Sequence, residues 1–161
     1  MSSFDRRSLL ILPLALAACG FTPVYGPGGN GSALRGLVLV QEPDSPDEYI
    51  LVRRLEDSLG RAQAPAYDLS YTLATETEGQ AVTATNETTR YSLVGRLDYV
   101  LTARDGGTVV ASGQVSNFTG YSATGTTVET LAGERDARER LMAILADQLV
   151  TRLYATADLP E

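Results

Sequence analysis

Between Tyr91 and Leu101 every second residue is apolar or glycine: Tyr91, Leu93, Gly95, Leu97, Tyr99 and Leu101 alternate with Ser92, Val94, Arg96, Asp98 and Val100. Side chains of a β-strand point to opposite faces in turn, so this run dictates a strand buried on one face only. Such a strand needs neighbours for its backbone and a cover for its apolar side. The rest of the chain supplies both. Tyr67, Leu69, Tyr71 and Leu73 alternate with Asp68, Ser70, Thr72 and Ala74, a second half-buried strand. Beyond Gly79 the apolar phase changes, because Val82 lies on the opposite parity, and a bulge near Gly79 would let the strand continue. Asn86-Glu87 reads as a turn into the Tyr91 strand. Asp105-Gly106-Gly107 reads as the hairpin turn out of it, leading into a strand over Thr108–Phe118. Gly36–Gln41 is a short apolar run between turn signals and reads as a buried strand.

Two amphipathic helices complete the pattern. In the first, Ser45 suits the cap, Pro46 the first helical position and Glu48 the reciprocal place of a capping box, which explains the acidic run Glu42–Glu48 without a metal. It runs to Gly60 with Leu51, Val52, Leu55 and Leu59 on one stripe. The second spans about Thr127–Tyr154, with Thr126 and Glu129 placed for a capping box and Leu141, Ile144, Leu145, Leu149 and Leu153 as its stripe. Its charged half offers Glu134–Arg138 and Asp136–Arg140 as pairs one turn apart, the usual dress of a solvated face. The order is therefore β-α-β-β-β-α: an α+β two-layer sandwich, two helices packed on one face of a four-stranded sheet. The other face, with Ser92, Val94, Arg96, Asp98, Val100 and Thr102, is left for solvent or a partner.

The amino terminus does not belong to this pattern. Arg6-Arg7 precedes the apolar run Leu9–Ala18, which is too short to span a bilayer and ends at Cys19, the only cysteine. Leu16-Ala17-Ala18-Cys19 resembles a lipobox, so residues 1–18 are expected to be a signal peptide cleaved before a lipidated Cys19. An ordinary secretory signal is the alternative, and Arg6-Arg7 also has a faint twin-arginine look. Gly20, not aspartate, follows the cysteine, which by analogy with lipoprotein sorting points to the outer membrane. Residues 19–35, rich in Gly and Pro from Pro23 on, read as a flexible tether, and 36–161 as a single domain. Within the tether Gly26-Pro27-Gly28-Gly29-Asn30-Gly31 matches the dinucleotide fingerprint by letter, but the strand–turn–helix setting that the fingerprint needs is missing.

The chemistry that the chain lacks narrows its function. Its formal charge is -7, and loss of Asp5, Arg6 and Arg7 makes the remainder one unit more negative, which argues against nucleic-acid binding. Histidine is absent, which removes the commonest general base and transition-metal ligand. No nucleophile, phosphate-loop or metal motif appears, so no catalytic residue, metal or cofactor is expected and the chain reads as a non-enzyme. Every basic residue is an arginine. Counting by twos from Arg96 reaches Arg90 and Arg104, which places all three on the polar face of one strand. Guanidinium forks suit phosphate, so these residues are candidate contacts for an anionic ligand or partner. Surface charge paired with Asp98 or Glu76 is the plainer alternative.

Two patches resemble a known family. Ala18-Cys19-Gly20-Phe21-Thr22-Pro23-Val24-Tyr25-Gly26 resembles the C-G-F-x-P-L-Y-G start of the LptE family of LPS-assembly lipoproteins, especially its alphaproteobacterial branch, with Val24 where leucine is usual. Glu134–Arg140 followed by Leu145-Ala146-Asp147-Gln148-Leu149 resembles that branch's carboxy-terminal helix. The resemblance implies a non-enzymatic lipoprotein of the outer membrane, its domain in the periplasm or inside the lumen of an LptD-like translocon β-barrel. There it would act as plug and assembly partner and could contact LPS. No family motif for LPS contact can be matched here by position. An accessory lipoprotein of another envelope polysaccharide export system would share the tether and the sandwich without needing a barrel.

Overall fold

The computed structural model describes residues 24, 26, 29–82 and 88–159. Its elements are α1 (Asn30–Leu34), β1 (Val38–Val40), α2 (Pro46–Leu59), β2 (Tyr67–Val82), β3 (Thr88–Ala103), β4 (Val109–Ser122) and α3 (Thr127–Thr156). The strands lie in the order β1-β2-β3-β4, with β1 parallel to β2 and the other neighbours antiparallel. A parallel pair needs a crossover, and α2 provides it. With α2 and α3 on one face, this is the expected α+β two-layer sandwich, and α1 is the addition.

Burial follows the sequence periodicity closely. Tyr67, Leu69 and Tyr71 of β2, with Leu93, Leu97, Tyr99 and Leu101 of β3, line the inner face and form one core with Leu51, Leu55 and Leu59 of α2 and Leu141, Leu145, Leu149 and Leu153 of α3. Gly95 holds the place of a core residue for a steric reason. A Cβ there would lie 2.8 Å from Leu145 Cδ1 and 3.0 Å from Leu141 Cδ2, so the bare backbone is what lets α3 settle on β3. The phase change of β2 is a register shift between Gly79 and Ala81.

The helix ends carry the expected caps with one rearrangement. Ser45 Oγ accepts from Glu48 N–H at 3.2 Å and Pro46 opens α2, but Glu48 Oε2 accepts from Asp44 N–H, one residue before the cap. Gly60 closes the helix at φ 79°. At α3 the capping box is reciprocal: Thr126 N–H donates to Glu129 Oε2 at 2.7 Å, and Glu129 N–H to Thr126 Oγ1 at 3.3 Å.

Three expectations need correction. The tether does not reach residue 35, because Asn30–Leu34 is helical, Leu34 is fully buried, and Asn30 Nδ2 donates to the carbonyls of Tyr154 at 3.2 Å and Ala157 at 2.8 Å. One turn and a half is too short to print a helical period. β4 continues four residues past Phe118 to Ser122. Ile144 is only half-buried, while Met142, Ala146 and Val150 join the core, since α3 touches both the sheet and α2 and buries a wider stripe than its leucines mark. Cys19, Leu16, Ala17 and Ala18, the Phe21–Pro23 part of the amino-terminal patch and the Asn86-Glu87 turn lie outside the described residues.

Candidate functional site

The outer sheet face is open, and the register fixes who sits beside whom. Three rows cross it: Glu78, Ser92 and Gly120; Glu76, Val94 and Phe118; Ala74, Arg96 and Ser116. Arg90 extends it at one end, opposite Ser122, and Arg104 follows Thr102 at the other. Arg90, Arg96 and Arg104 are all exposed and share this face, as their parity requires.

They do not form one site. At about 3.3 Å per residue, Arg90 and Arg96 are roughly 20 Å apart and Arg104 is some 26 Å further on. Arg104 is also engaged, its Nε lying 2.9 and 3.0 Å from the two carboxylate oxygens of Asp68. Neither residue named as the alternative partner takes an arginine: Asp98 Oδ1 accepts from Gln114 Nε2 at 2.6 Å, and Glu76 is exposed with no ion pair among the described residues. Arg90 and Arg96 have no ion pair among the described residues.

Sequence reasoning missed what stands between them. Phe118 is 68% exposed and lies opposite Val94, within the Arg90–Arg96 stretch and nearer Arg96. Its even parity on a strand whose odd positions, Val115 and Thr119, face inward would have placed it outward had the strand been continued past it. Behind this end of the sheet, on the helix side, Tyr91 and Tyr121 stack at 5.4 Å, and burial raises the Tyr121 pKa, helped by the Glu134 carboxylate. Val128 and Leu131 stand exposed on the first turns of α3 nearby.

The charged half of α3 is more than a solvated face. Arg138 is bound at 2.8 Å by Glu134 in its own helix and at 2.9 Å by Asp47 in the first turn of α2, all three half-buried or less exposed. Arg140 pairs with Asp136 as expected. Arg54 reaches from α2 to Asp147 on α3 at 3.0 Å, a second clasp between the helices. Inside, Tyr71 Oη donates to Glu48 at 3.3 Å, and burial together with that carboxylate pushes the phenol above its ordinary range. None of these groups converges on a cleft with a nucleophile. Among the described residues no cluster of acidic or sulfur ligands could hold a metal, and no helix is long and apolar enough to cross a membrane.

Comparison with known proteins agrees with this architecture. A lipoprotein assignment from Caulobacter crescentus CB15 superposes with a TM-score of 0.65 at 20% identity, covering 81% of this chain and 96% of that one. Rare lipoprotein B of Shewanella oneidensis superposes at 0.58 with 12% identity over 74% and 93% of the two chains. An uncharacterized lipoprotein B of Nitrosomonas europaea does so at 0.57 with 12% identity over 75% and 83%. At such identities the likeness is one of fold. No curated protein matches the chain in sequence. Residues 37–153, from the residue before β1 to the last buried leucine of α3, match the family LptE, lipopolysaccharide-assembly, and the chain belongs to that family.

Proposed function

We propose that this chain is an outer-membrane lipoprotein, anchored by lipid on Cys19, that assists lipopolysaccharide assembly as plug and assembly partner of an LptD-like β-barrel. The family match over residues 37–153 carries the reading. The protein works by binding and not by catalysis, in keeping with a sequence that has no histidine and no nucleophile motif. Its outer sheet face suits an amphipathic anion: exposed Arg90 and Arg96 offer guanidinium forks to phosphate, and exposed Phe118 between them offers apolar area. Detergent extraction and pull-down of the tagged full chain tests the partnership. Co-purification of a large β-barrel is expected, and a persistently solitary protein would refute it. Replacing Arg90 and Arg96 together with glutamine is expected to weaken retention on lipopolysaccharide-coated beads, and unchanged retention would remove the anion-contact part of the reading.

A further inference from the structure

The chain ahead of β1 is fastened to one end of the sandwich. Asn30 Nδ2 donates to the carbonyls of Tyr154 and Ala157, which lie at the end of α3 where no further helical turn serves them. Gly31 N–H donates to Val24 C=O and Gly29 N–H to Gly26 C=O, both at 3.0 Å, so the segment folds back on itself. Leu34 is fully buried in the core, and Gly29 and Gly31 are buried beside it. Gly36 N–H then donates to Leu59 C=O at 2.7 Å, at the end of α2. Buried apolar area and internal hydrogen bonds make this segment a strap that opens only at a cost.

The lipid proposed on Cys19 connects to the domain through this strap. Val24 is five residues from Cys19, so the anchor reaches at most about 18 Å from the strap. With the strap undone the fixed point would be Gly36, and the reach about 60 Å. The domain is long by comparison, since the 30 residues of α3 span about 45 Å. At the strapped end lie the last turns of α2 and α3 and the Asp105-Gly106-Gly107 turn, joined where Asp158 N–H donates to Val110 C=O at 2.9 Å. Arg90, Phe118 and the start of α3 lie at the other end. We propose that Asn30 and Leu34 pin the anchor to a short leash, so that the strapped end of the domain faces the phospholipid bilayer and the Arg90–Phe118 end points away from it. The inference rests on the lipid anchor of the proposed function and adds which end of the domain that anchor holds. An acidic domain has no attraction for an anionic bilayer that would lay its long side down. In a barrel of the same membrane, the Arg90 end is the one that leads into the lumen.

Strap and leash are tested separately. Arg35 is exposed and is the first arginine after Cys19 in a chain without lysine, so trypsin that cuts there frees a fragment beginning at Gly36. Cleavage of a folded segment tracks how often it opens. Asn30→Asp keeps the shape of the side chain and loses the donor, and Asn30→Ala loses both. Each should speed this cut about tenfold or more while retaining the parent's circular dichroism. For the leash, the lipidated full chain in vesicles of phosphatidylethanolamine and phosphatidylglycerol carries a fluorophore on Asp105→Cys or on Thr124→Cys, the native thiol being taken up by lipid. Nitroxide on the lipid headgroups should quench the first strongly and the second weakly. Asn30→Asp, and a Gly/Ser stretch as long as the strap inserted before Val24, should both weaken quenching at the Asp105 turn. Cleavage after Arg35 at the parent's rate in both Asn30 variants, or equal quenching at the two turns, would overturn the inference. A parent that does not stay with the vesicles would refute the lipid anchor itself, and the leash with it.

Discussion

Gly95→Ala isolates the contact that seats α3 on the sheet. The added methyl would stand 2.8 Å from Leu145 Cδ1, 3.0 Å from Leu141 Cδ2 and 3.2 Å from Leu141 Cγ. Leu141 and Leu145 are both fully buried, so neither can swing into solvent to make room. Overpacking of this kind costs about 1–3 kcal/mol, while replacing glycine in a strand returns roughly 0.5–1 kcal/mol of backbone entropy. Because both leucines are locked in the core the overpacking falls in the upper half of its range, and the balance is a loss of about 1–2 kcal/mol. With an m-value of about 2 kcal/mol/M in urea, the midpoint should fall by about 0.5–1 M at unchanged m. Leu145→Val shortens the nearest side chain. It should cost stability in the parent by leaving a gap, yet cost less in the Gly95→Ala background, so a double-mutant cycle should give a favourable coupling. A Gly95→Ala midpoint equal to or above that of the parent would refute the argument, and additive effects of the two substitutions would show that the methyl meets something other than Leu145.

Tyr71 provides an alkaline signature. Burial, then the Glu48 carboxylate, raises its pKa above the ordinary 10.0, so its contribution to stability is full below that value and lost as pH rises through the higher folded one. Tyr71→Phe should make the fall in urea midpoint above about pH 10 shallower, and an unchanged slope would count against the buried phenol. Glu129 gives the acid counterpart. The Thr126 backbone N–H, then its hydroxyl, lowers the Glu129 pKa below 4.5, so the cap holds above that value and fails as pH falls through the lower folded one. Amide exchange in the first turn of α3 should rise at low pH in the parent and be high at every pH in Glu129→Ala; equal exchange in the two proteins near neutrality would refute the capping role. Arg138→Met should cost about 1–2 kcal/mol by thermal or urea unfolding, because it unclasps α2 from α3 at Asp47 and leaves two carboxylates facing each other. A change within error would show that the packed leucines alone hold the helices together.

The sequence was most legible where one physical rule acted alone. Alternation in β2 and β3 set both strands, their inner faces and the bulge after Gly79, because the register of a half-buried strand is tied to its apolar parity. The caps at Ser45 and Thr126 were legible because they depend on residues three apart. What failed to show depended on contacts between distant segments. Asn30 gives no local signal that its amide will meet the carbonyls at the end of α3. The engagement of Arg104 by Asp68 joins strands whose relative register is not written in either one. Ile144 followed the helical period yet faces the groove by β4, since the stripe of a helix says which residues are apolar and not how far the sheet extends beneath them.

The three arginines illustrate the difference between sharing a face and sharing a site. Parity put Arg90, Arg96 and Arg104 on the outer surface of one strand; the structure keeps Arg90 and Arg96 on β3 and sets Arg104 one residue past its end, beside Asp68. A chelating site, however, requires donors within a few ångströms of a common point, and residues spread along one strand are separated by its rise of about 3.3 Å per residue. Asp68 closes on Arg104, so the two arginines without an ion pair among the described residues, Arg90 and Arg96, stand apart along the other part of the strand, where Phe118 is also exposed and where Glu76 and Glu78 sit in the neighbouring strand. The carboxylates offset the field of the arginines at long range, so short-range hydrogen bonds would have to supply the affinity of the proposed contact. Under the proposed function an anionic partner would therefore be met one guanidinium at a time, across an extended surface, by a ligand that is itself extended. A single small phosphate would gain from one arginine only, whereas a large amphipathic anion could span Arg90, Phe118 and Arg96 together.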